Sequence, residues 1–242
     1  MAPVGPRMRL HARAAHGGLA LFHLLDDRQY RSPQPCRDSG RNGQALADGC
    51  RSRGDPRATM LGREQECWLQ SGLAASDARW NFVTQQTLMA RVDCASGPET
   101  WLLNDSWDGY PAARQRLLDD LVTRRVANPF VLGGDLHSFW VTDLKADFSD
   151  PRSPTVATEF VTRSITSDPV PERYNRRAME INPHVGLALG THRGYLRLDM
   201  TPQRLTVDLR GVDSVVDPDS NCKTLATYVV EDGQPGAVAV ST

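Results

Sequence analysis

The chain has 242 residues, enough for one sizeable core or for one domain with an appendage. It carries 28 basic and 29 acidic residues, so its formal net charge is −1, which gives no bulk positive field for nucleic acid and no acidic tail. Hydrophobic residues make up 40% of the chain, and no apolar run approaches the roughly 20 residues that a membrane-spanning helix needs.

The N-terminal quarter contains one predicted strand between two irregular segments. Residues 1–18 are predicted to be ragged. Their arginines precede a short apolar stretch, as in a signal peptide, but that stretch is soon interrupted and no small-residue cleavage site follows. A strand is predicted over 19–26. Residues 31–58 are rich in Gly, Pro, Arg and Ser and predict a long loop. Cys36 and Cys50 lie in this loop; they pair only if the protein is exported, and two reduced cysteines are an equal alternative.

Helices and strands alternate through the middle of the chain. The apolar positions predict a helix from Leu61 to about Ser76, a strand over 80–85, a helix over 112–126 and a strand from 130 to 135. This order predicts an α/β architecture with layers packed on a sheet.

The last third of the chain is predicted to consist of strands. One is predicted over 156–162, two that form a hairpin over 194–200 and 205–209, and a fourth over 224–230. The tail from Asp232 is rich in Gly, Pro and Ala and is predicted to fray.

The most distinctive stretch is the apolar run 130–132 that leads into Gly133, Gly134, Asp135 and His137. If the extended geometry persists, Asp135 and His137 leave the same face of the strand, as metal ligands would. The glycines would let the backbone turn and leave room for an ion or a phosphate. The alternative is a capped turn that carries a surface histidine.

The other histidines favour structural interpretations. His11 and His16 lie in the ragged N-terminus and are not expected to be ligands. His23 lies on an apolar strand and is predicted to be a buried histidine with its polar atoms satisfied. A structural role is also favoured for His184 and His192, although His184 follows a proline turn and could approach the site in space.

An aromatic loop before the second long helix offers further polar groups. Asp105 and Asp108 lie in it, followed by Tyr110. Asp108 or a neighbour caps the helix, or Asp108 or Tyr110 stands at the rim of a pocket and contacts substrate; the sequence leaves both open. There is no GxSxG, P-loop or GxGxxG motif, which disfavours serine hydrolases of that type and nucleotide-binding sites of those kinds.

Seven short stretches, taken in order from residue 19 to 236, resemble alkaline phosphatase D, the family of PhoD-like phosphatases. They are Phe22-His23-Leu24-Leu25-Asp26-Asp27-Arg28-Gln29-Tyr30-Arg31, Thr59-Met60-Leu61-Gly62-Arg63-Glu64-Gln65, Ala78-Arg79-Trp80-Asn81, Trp107-Asp108-Gly109-Tyr110-Pro111, Gly134-Asp135-Leu136-His137-Ser138-Phe139-Trp140, Glu159-Phe160-Val161 and His192-Arg193-Gly194-Tyr195. The predicted domain therefore spans 19–236, and 237–242 form a tail.

The resemblance implies a metallophosphoesterase-like β-sandwich flanked by helices. It also implies hydrolysis of phosphate monoesters and diesters by a metal-activated water, with calcium and iron as cofactors. Asp135 and His137 match the Gly-Asp-x-His motif of the family and carry over as catalytic metal ligands. Asp108, Tyr110 and His184 match recurrent positions and are expected to bind substrate. A periplasmic or extracellular location follows from the family, although no intact signal peptide is present.

One departure from the family pattern limits these expectations. Family members carry a cysteine, a Gly-Asp-Tyr stretch and a Trp-Asp-Asp-His-Glu-like stretch upstream, and none occurs before residue 19. The chain is therefore predicted to correspond to the C-terminal portion, without the N-terminal half of the fold. Three hypotheses follow: a phosphate-ester hydrolase, a truncated non-catalytic chain with weak metal or phosphate binding, and a structural α/β module. The expected partner is a small phosphate ester, with no specific binding of nucleic acid; the oligomeric state is left open.

Overall fold

The computed structural model describes residues 9–36, 49–95 and 97–240, together with the backbone of 44–46. The start of the predicted ragged N-terminus (1–8), two parts of the predicted loop (37–43 and 47–48) and the end of the tail (241–242) lie outside the described residues.

Helices and strands follow one another along the described chain with these bounds: β1 Ala12–His16, β2 Ala20–Leu24, β3 Gln44–Leu46, α1 Arg63–Ala74, β4 Trp80–Thr84, β5 Trp101–Leu103, α2 Pro111–Thr123, β6 Pro129–Gly133, β7 Phe139–Lys145, β8 Thr155–Val161, α3 Glu172–Ile181, β9 Val185–Leu189, β10 Arg193–Met200, β11 Arg204–Val212, β12 Cys222–Glu231 and β13 Gln234–Ala239. None of the helices in these described ranges has the length and apolar character needed to cross a membrane.

A seven-stranded sheet in the order β1-β2-β4-β6-β8-β7-β9 forms the centre of the fold. Strands β2, β4, β6 and β8 are parallel neighbours, while β1 and β7 run antiparallel to the strands beside them. The carboxyl ends of the four parallel strands consequently meet at one edge of the sheet. In open α/β sheets this edge is the usual place for a ligand.

Helices cover one face of this sheet. Helix α1 buries Leu69 and Leu73, and α2 buries Leu117 and Leu121, in one apolar cluster that includes Val131 of the sheet. Pro111 occupies the first turn of α2, where the absence of its N–H costs no helical hydrogen bond.

A second sheet covers the other face. Strands β10 to β13 form an antiparallel meander, which buries Leu205, Val207 and Leu209 against Phe82 and Phe130 of the large sheet. Helices, a mixed sheet and an antiparallel sheet thus form three layers. The predicted fold class, a metallophosphoesterase-like α/β β-sandwich flanked by helices, is confirmed.

Two segments predicted to be irregular are strands. Residues 12–16 were expected to be ragged but pair with β2 as β1, and the guanidinium of Arg13 lies 4.1 Å from the centre of the Trp68 ring. The tail was expected to fray from Asp232, yet 234–239 form β13. Gly233, with a φ of 72°, turns the chain back, and the side chain of Asn128 accepts a hydrogen bond from its N–H at 2.7 Å. Because these contacts join residues that are distant in the sequence, the local sequence did not predict either strand.

His23 is buried as predicted, but its polar atoms are not satisfied. The side chain is fully buried on β2, its ring lies 5.9 Å from that of Trp68, and apart from a contact with the backbone of Phe82 its ring nitrogens have no hydrogen-bond partner. Burial and then the charge of Arg13 lower the pKa of His23 to about 4, against a smaller opposing contribution from the backbone of Phe82. The imidazole is therefore held neutral in the folded chain.

We expect His23 to destabilise the fold in acid. Because its pKa is lower in the folded than in the unfolded chain, the unfolded chain binds the extra proton as the pH falls from about 6.5 to 4. The free energy of unfolding should fall by roughly 3 kcal/mol over this window relative to His23→Leu. Urea unfolding at several pH values measures the difference, with His16→Leu at an exposed position as the control. Parallel curves for His23→Leu and the unsubstituted chain would contradict the prediction.

Candidate functional site at the carboxyl edge of the parallel strands

The loop after β6 begins with a glycine that backbone packing requires. A Cβ at Gly133 would lie 2.2 Å from the carbonyl oxygen of Thr87, so no larger residue fits between β6 and the loop that follows β4. The space beside this glycine is filled by protein backbone. The expectation that both glycines leave room for an ion or a phosphate is therefore wrong at Gly133.

Asp135 and His137 both adopt left-handed backbone conformations. Their φ angles are 72° and 51°, so the extended geometry ends at Gly133 and the predicted alternation of a strand does not carry on. Such conformations are uncommon for residues other than glycine and cluster at functional sites. Both residues nevertheless line one cavity. Nδ1 of His137 lies 3.0 Å from the carbonyl oxygen of Asp168, which fixes one side of the ring.

A chain of ion pairs runs along this edge of the sheet. Nη2 of Arg28 donates to Asp135 Oδ2 at 2.8 Å, and Nη1 of Arg28 donates to Asp105 Oδ2 at 2.9 Å. Arg31 donates to Asp105 Oδ1, also at 2.8 Å. Although burial acts in the opposite direction, the hydrogen bond from Arg31 and the charge of Arg28 hold the pKa of Asp105 below its usual value. Arg28 thereby places a cation directly beside the candidate carboxylate.

A further carboxylate, that of Asp27, lies buried beside Arg28. Asp27 is fully buried at the end of β2, and its Oδ1 has no hydrogen-bond partner; Nε of Arg28 is 3.7 Å away. Burial raises the pKa of Asp27 to about 6, against the charge of Arg28 and a hydrogen bond from the N–H of Gln86. The edge thus places two partly exposed carboxylates, Asp105 and Asp135, and the buried carboxylate of Asp27 around a single guanidinium.

Asp108 and Tyr110 have structural contacts that remove them from the cavity. Asp108 is fully buried; its Oδ1 accepts a hydrogen bond from Nη1 of Arg114 at 2.6 Å, and its Oδ2 accepts one from the N–H of Val92 at 3.0 Å. The hydroxyl of Tyr110, also fully buried, donates to the carbonyl oxygen of Ser32 at 2.7 Å. The expected substrate contacts of Asp108 and Tyr110 are not supported, because both polar groups are used inside the protein.

His184 lies at the opposite edge of the large sheet. It precedes β9, whose Val185 pairs with Thr142, while Leu189 at the other end of β9 pairs with Phe139 next to the candidate site. Four strand residues separate the two edges by about 13 Å. Nε2 of His184 lies 2.6 Å from the carbonyl oxygen of Arg91, and burial lowers the pKa of the imidazole. His184 therefore does not reach the cavity that Asp135 and His137 line.

The long loop before α1 is held against the ion-pair chain. Cys36 and Cys50 form a disulfide, which resolves the alternatives that the sequence left open. Nε of Arg53 donates to the carbonyl oxygen of Asp108 at 2.7 Å, and Arg31 reaches Asp105 from the start of the same loop.

Arg28 had no role predicted from the sequence, and Asp105 was named only as one of the polar groups in the aromatic loop before α2. Both belong to stretches that carried the family resemblance or lay beside one, but nothing in a single sequence indicates that the end of β2 and the loop before α2 meet at one edge. The signal that could have found Arg28 is its place shortly after a strand, among acidic residues, at the edge of the parallel sheet where β6 leads into Asp135.

The described residues do not make a complete metal site on their own. No group of three or more His, Cys, Asp or Glu side chains close enough to hold an ion occurs in the ranges 9–36, 49–95 and 97–240. Asp135 and His137 supply two donor side chains, and Asp135 is already paired with the guanidinium of Arg28.

The chain is thus an α/β protein whose candidate site lies at the carboxyl ends of its parallel strands. Residues 1–209 match the family model of PhoD-like phosphatases, and the chain belongs to that family. It is 35% identical over 245 residues to alkaline phosphatase D of Bacillus subtilis (strain 168), covering 99% of this chain and 40% of that protein. A solved structure described as the structure of PhoD matches with a TM-score of 0.86 and 33% identity, covering 99% of this chain and 45% of that one. The chain thus spans less than half the length of both relatives.

Proposed function

We propose that this chain takes part in the hydrolysis of phosphate monoesters and diesters at the carboxyl edge of the large sheet. Family membership supports a phosphatase. The observation that carries the proposal is the Gly-Asp-Leu-His loop, which presents Asp135 and His137 to one cavity beside Arg28.

Arg28 has the geometry of a phosphate ligand. Its guanidinium is about one-third exposed and holds two carboxylates that come from different loops. A planar guanidinium can donate two parallel hydrogen bonds to phosphate oxygens, as it does to carboxylates. In this proposal a phosphate group takes the place of Asp135 on Arg28 and frees that carboxylate.

Asp135 and His137 are proposed as the ligands that this chain contributes to a metal centre. Carboxylate oxygen suits calcium and imidazole nitrogen suits iron, the two metals expected from the resemblance. Two donors are too few, so the other ligands would come from outside the described residues.

A non-catalytic chain with weak phosphate or metal binding is the second candidate. It is favoured by the incomplete donor set and by the ion pair with Arg28, which neutralises Asp135. Export is proposed for either candidate, because a disulfide persists in oxidising compartments.

The decisive experiment measures hydrolysis and metal binding on the same samples. The purified chain is supplied with calcium and iron and tested with p-nitrophenyl phosphate and bis-p-nitrophenyl phosphate, while calorimetry follows the binding of each metal. If the chain is an enzyme, we expect metal-dependent turnover that Asp135→Ala and His137→Ala both abolish. A folded chain that binds metal without turnover would support the non-catalytic candidate.

Matched controls separate the site from general damage. Asp199→Ala and His16→Ala remove the same side-chain types from exposed positions on β10 and β1, outside the cavity. Both should keep the turnover and metal affinity of the unsubstituted chain. Equal losses in the control and site variants would argue against an active site at Asp135 and His137.

A further inference from the structure

The cavity beside the Gly-Asp-Leu-His loop has mostly apolar walls. Its volume is about 390 Å³, and Asp135 and His137 stand in its lining. The apolar walls come from four separate parts of the chain: Val92, Leu103, Leu136, Trp140, Val170 and Ala178. The volume lies within the range of small-molecule pockets, which combine such walls with a few polar groups.

Two of the polar groups that line the cavity, Asp135 and His137, lie where the reacting phosphate is proposed to bind; Asn175 and Arg177 of α3 also line it. Leu136 separates Asp135 from His137, and Trp140, the second residue of β7, follows three residues after His137, so apolar wall and polar donors belong to one continuous segment. A ligand whose phosphate takes the place of Asp135 on Arg28, beside His137, would therefore have its ester group against Leu136 and Trp140. Inorganic phosphate or a small polar ester would leave this apolar surface in water.

We propose that the cavity binds the organic group of the phosphate ester, and that the preferred substrates are esters of aromatic or bulky alkyl alcohols. This inference rests on the proposed function for the location of the phosphate. It deepens that function by naming the class of substrate. In a hydrophobic pocket one methylene changes discrimination by about tenfold or more, so an aromatic ring should give at least that preference.

Val170 offers a direct test of the cavity. It is half-buried in the loop before α3 and lines the cavity, so Val170→Trp should fill part of the space, whereas Val170→Ala should enlarge it. Val216→Trp is the matched control, because Val216 is 90% exposed and outside the cavity. Calorimetry measures the binding of 1-naphthyl phosphate, methyl phosphate and inorganic phosphate to each variant, and circular dichroism confirms that each is folded.

The chain should bind 1-naphthyl phosphate at least about tenfold more tightly than methyl phosphate. Val170→Trp should remove this preference and leave the affinity for inorganic phosphate unchanged, while Val170→Ala and Val216→Trp should retain it. Equal affinity for the two esters in the unsubstituted chain would overturn the proposal. If Val170→Trp does not fold, Val170→Ala decides with a fourth compound, a larger aryl phosphate: the enlarged cavity should bind it more tightly than the unsubstituted chain does while keeping the preference for the naphthyl over the methyl ester, and no gain for the larger ester overturns the proposal.

Hydrolysis of the same three compounds separates this inference from the function on which it rests. If the chain binds the naphthyl ester selectively but hydrolyses nothing under any metal condition, the proposed ester-binding cavity stands and the proposed hydrolase activity is refuted. If the rate of hydrolysis does not depend on the organic group and is unchanged in Val170→Trp, the proposed hydrolase activity stands and the proposed ester-binding cavity is refuted. Absence of both binding and turnover refutes both.

Discussion

Asp108→Ala is expected to lower the free energy of unfolding by about 3–5 kcal/mol, because it leaves the charge of Arg114 buried without its partner. The two side chains are 0% and 5% exposed, and Nη1 of Arg114 lies 2.6 Å from Oδ1 of Asp108. The N–H of Val92 also loses its acceptor. Urea unfolding measures the change. A substrate-contacting Asp108 would behave differently, since its loss would weaken catalysis and leave stability nearly unchanged.

A double substitution separates the lost ion pair from lost packing. Asp108→Leu combined with Arg114→Met removes both buried charges, and well-packed apolar replacements of such pairs are often neutral or better. We expect the double variant to be more stable than either single variant. Additive losses in the double variant would show that the pair does not couple, which is the outcome that contradicts this account.

Most of the fold could be predicted because its elements carry their own periodicity. Helix α1 was expected to run from 61 to 76 and runs from Arg63 to Ala74; α2 was expected over 112–126 and runs from Pro111 to Thr123. Their apolar stripes fix both the type of element and its buried face. The β10–β11 hairpin was found for the same reason, from alternation with a period of two.

The elements that were missed depend on partners distant in the sequence. Strand β13 has a glycine- and proline-rich sequence, but its ladder with β12 and the hydrogen bond from Gly236 N–H to Thr158 Oγ1 at 2.8 Å hold it in place. Helix α3 has a mainly charged sequence and buries only Asn175 and Ala178. Local propensity is weak in such segments, and tertiary contacts decide their structure.

The residues of the candidate site show the same difference between local patterns and tertiary contacts. Asp135 and His137 were found because glycines followed by a carboxylate and an imidazole stand out in one short stretch. The substrate contacts expected of Asp108 and Tyr110 stay predictions. Both polar groups have partners inside the protein, and a sequence motif does not say whether a polar side chain faces a cavity or a buried partner. Arg114, the partner of Asp108, looks in the sequence like any other arginine of a helix.

Glu159→Ala should cost about 3–5 kcal/mol of unfolding free energy, because three buried donors lose their acceptor and each such loss costs about 1–3 kcal/mol. Glu159 is fully buried on β8. Its carboxyl group accepts hydrogen bonds from the N–H of Met89 at 2.6 Å, from the N–H of Ala90 at 2.9 Å and from the hydroxyl of Thr142 at 3.0 Å. Urea unfolding at neutral pH tests this expectation. A loss below 1 kcal/mol would mean that the loop 88–90 does not depend on Glu159.

Glu159→Gln then isolates the charge of this carboxyl group from its shape. Burial raises the pKa of Glu159 from 4.5 to about 7, against the hydrogen bonds from Met89 and Ala90. The folded chain therefore holds a proton that the unfolded chain releases, so stability falls as the pH rises from about 4.5 to 7. Glu159→Gln cannot ionise, and its stability relative to the unsubstituted chain should rise by about 3 kcal/mol across this window. Glu180→Gln, on the exposed surface of α3, should show no such trend; if Glu159→Gln matches this control at every pH, the carboxyl group of Glu159 is ionised throughout and burial does not govern it.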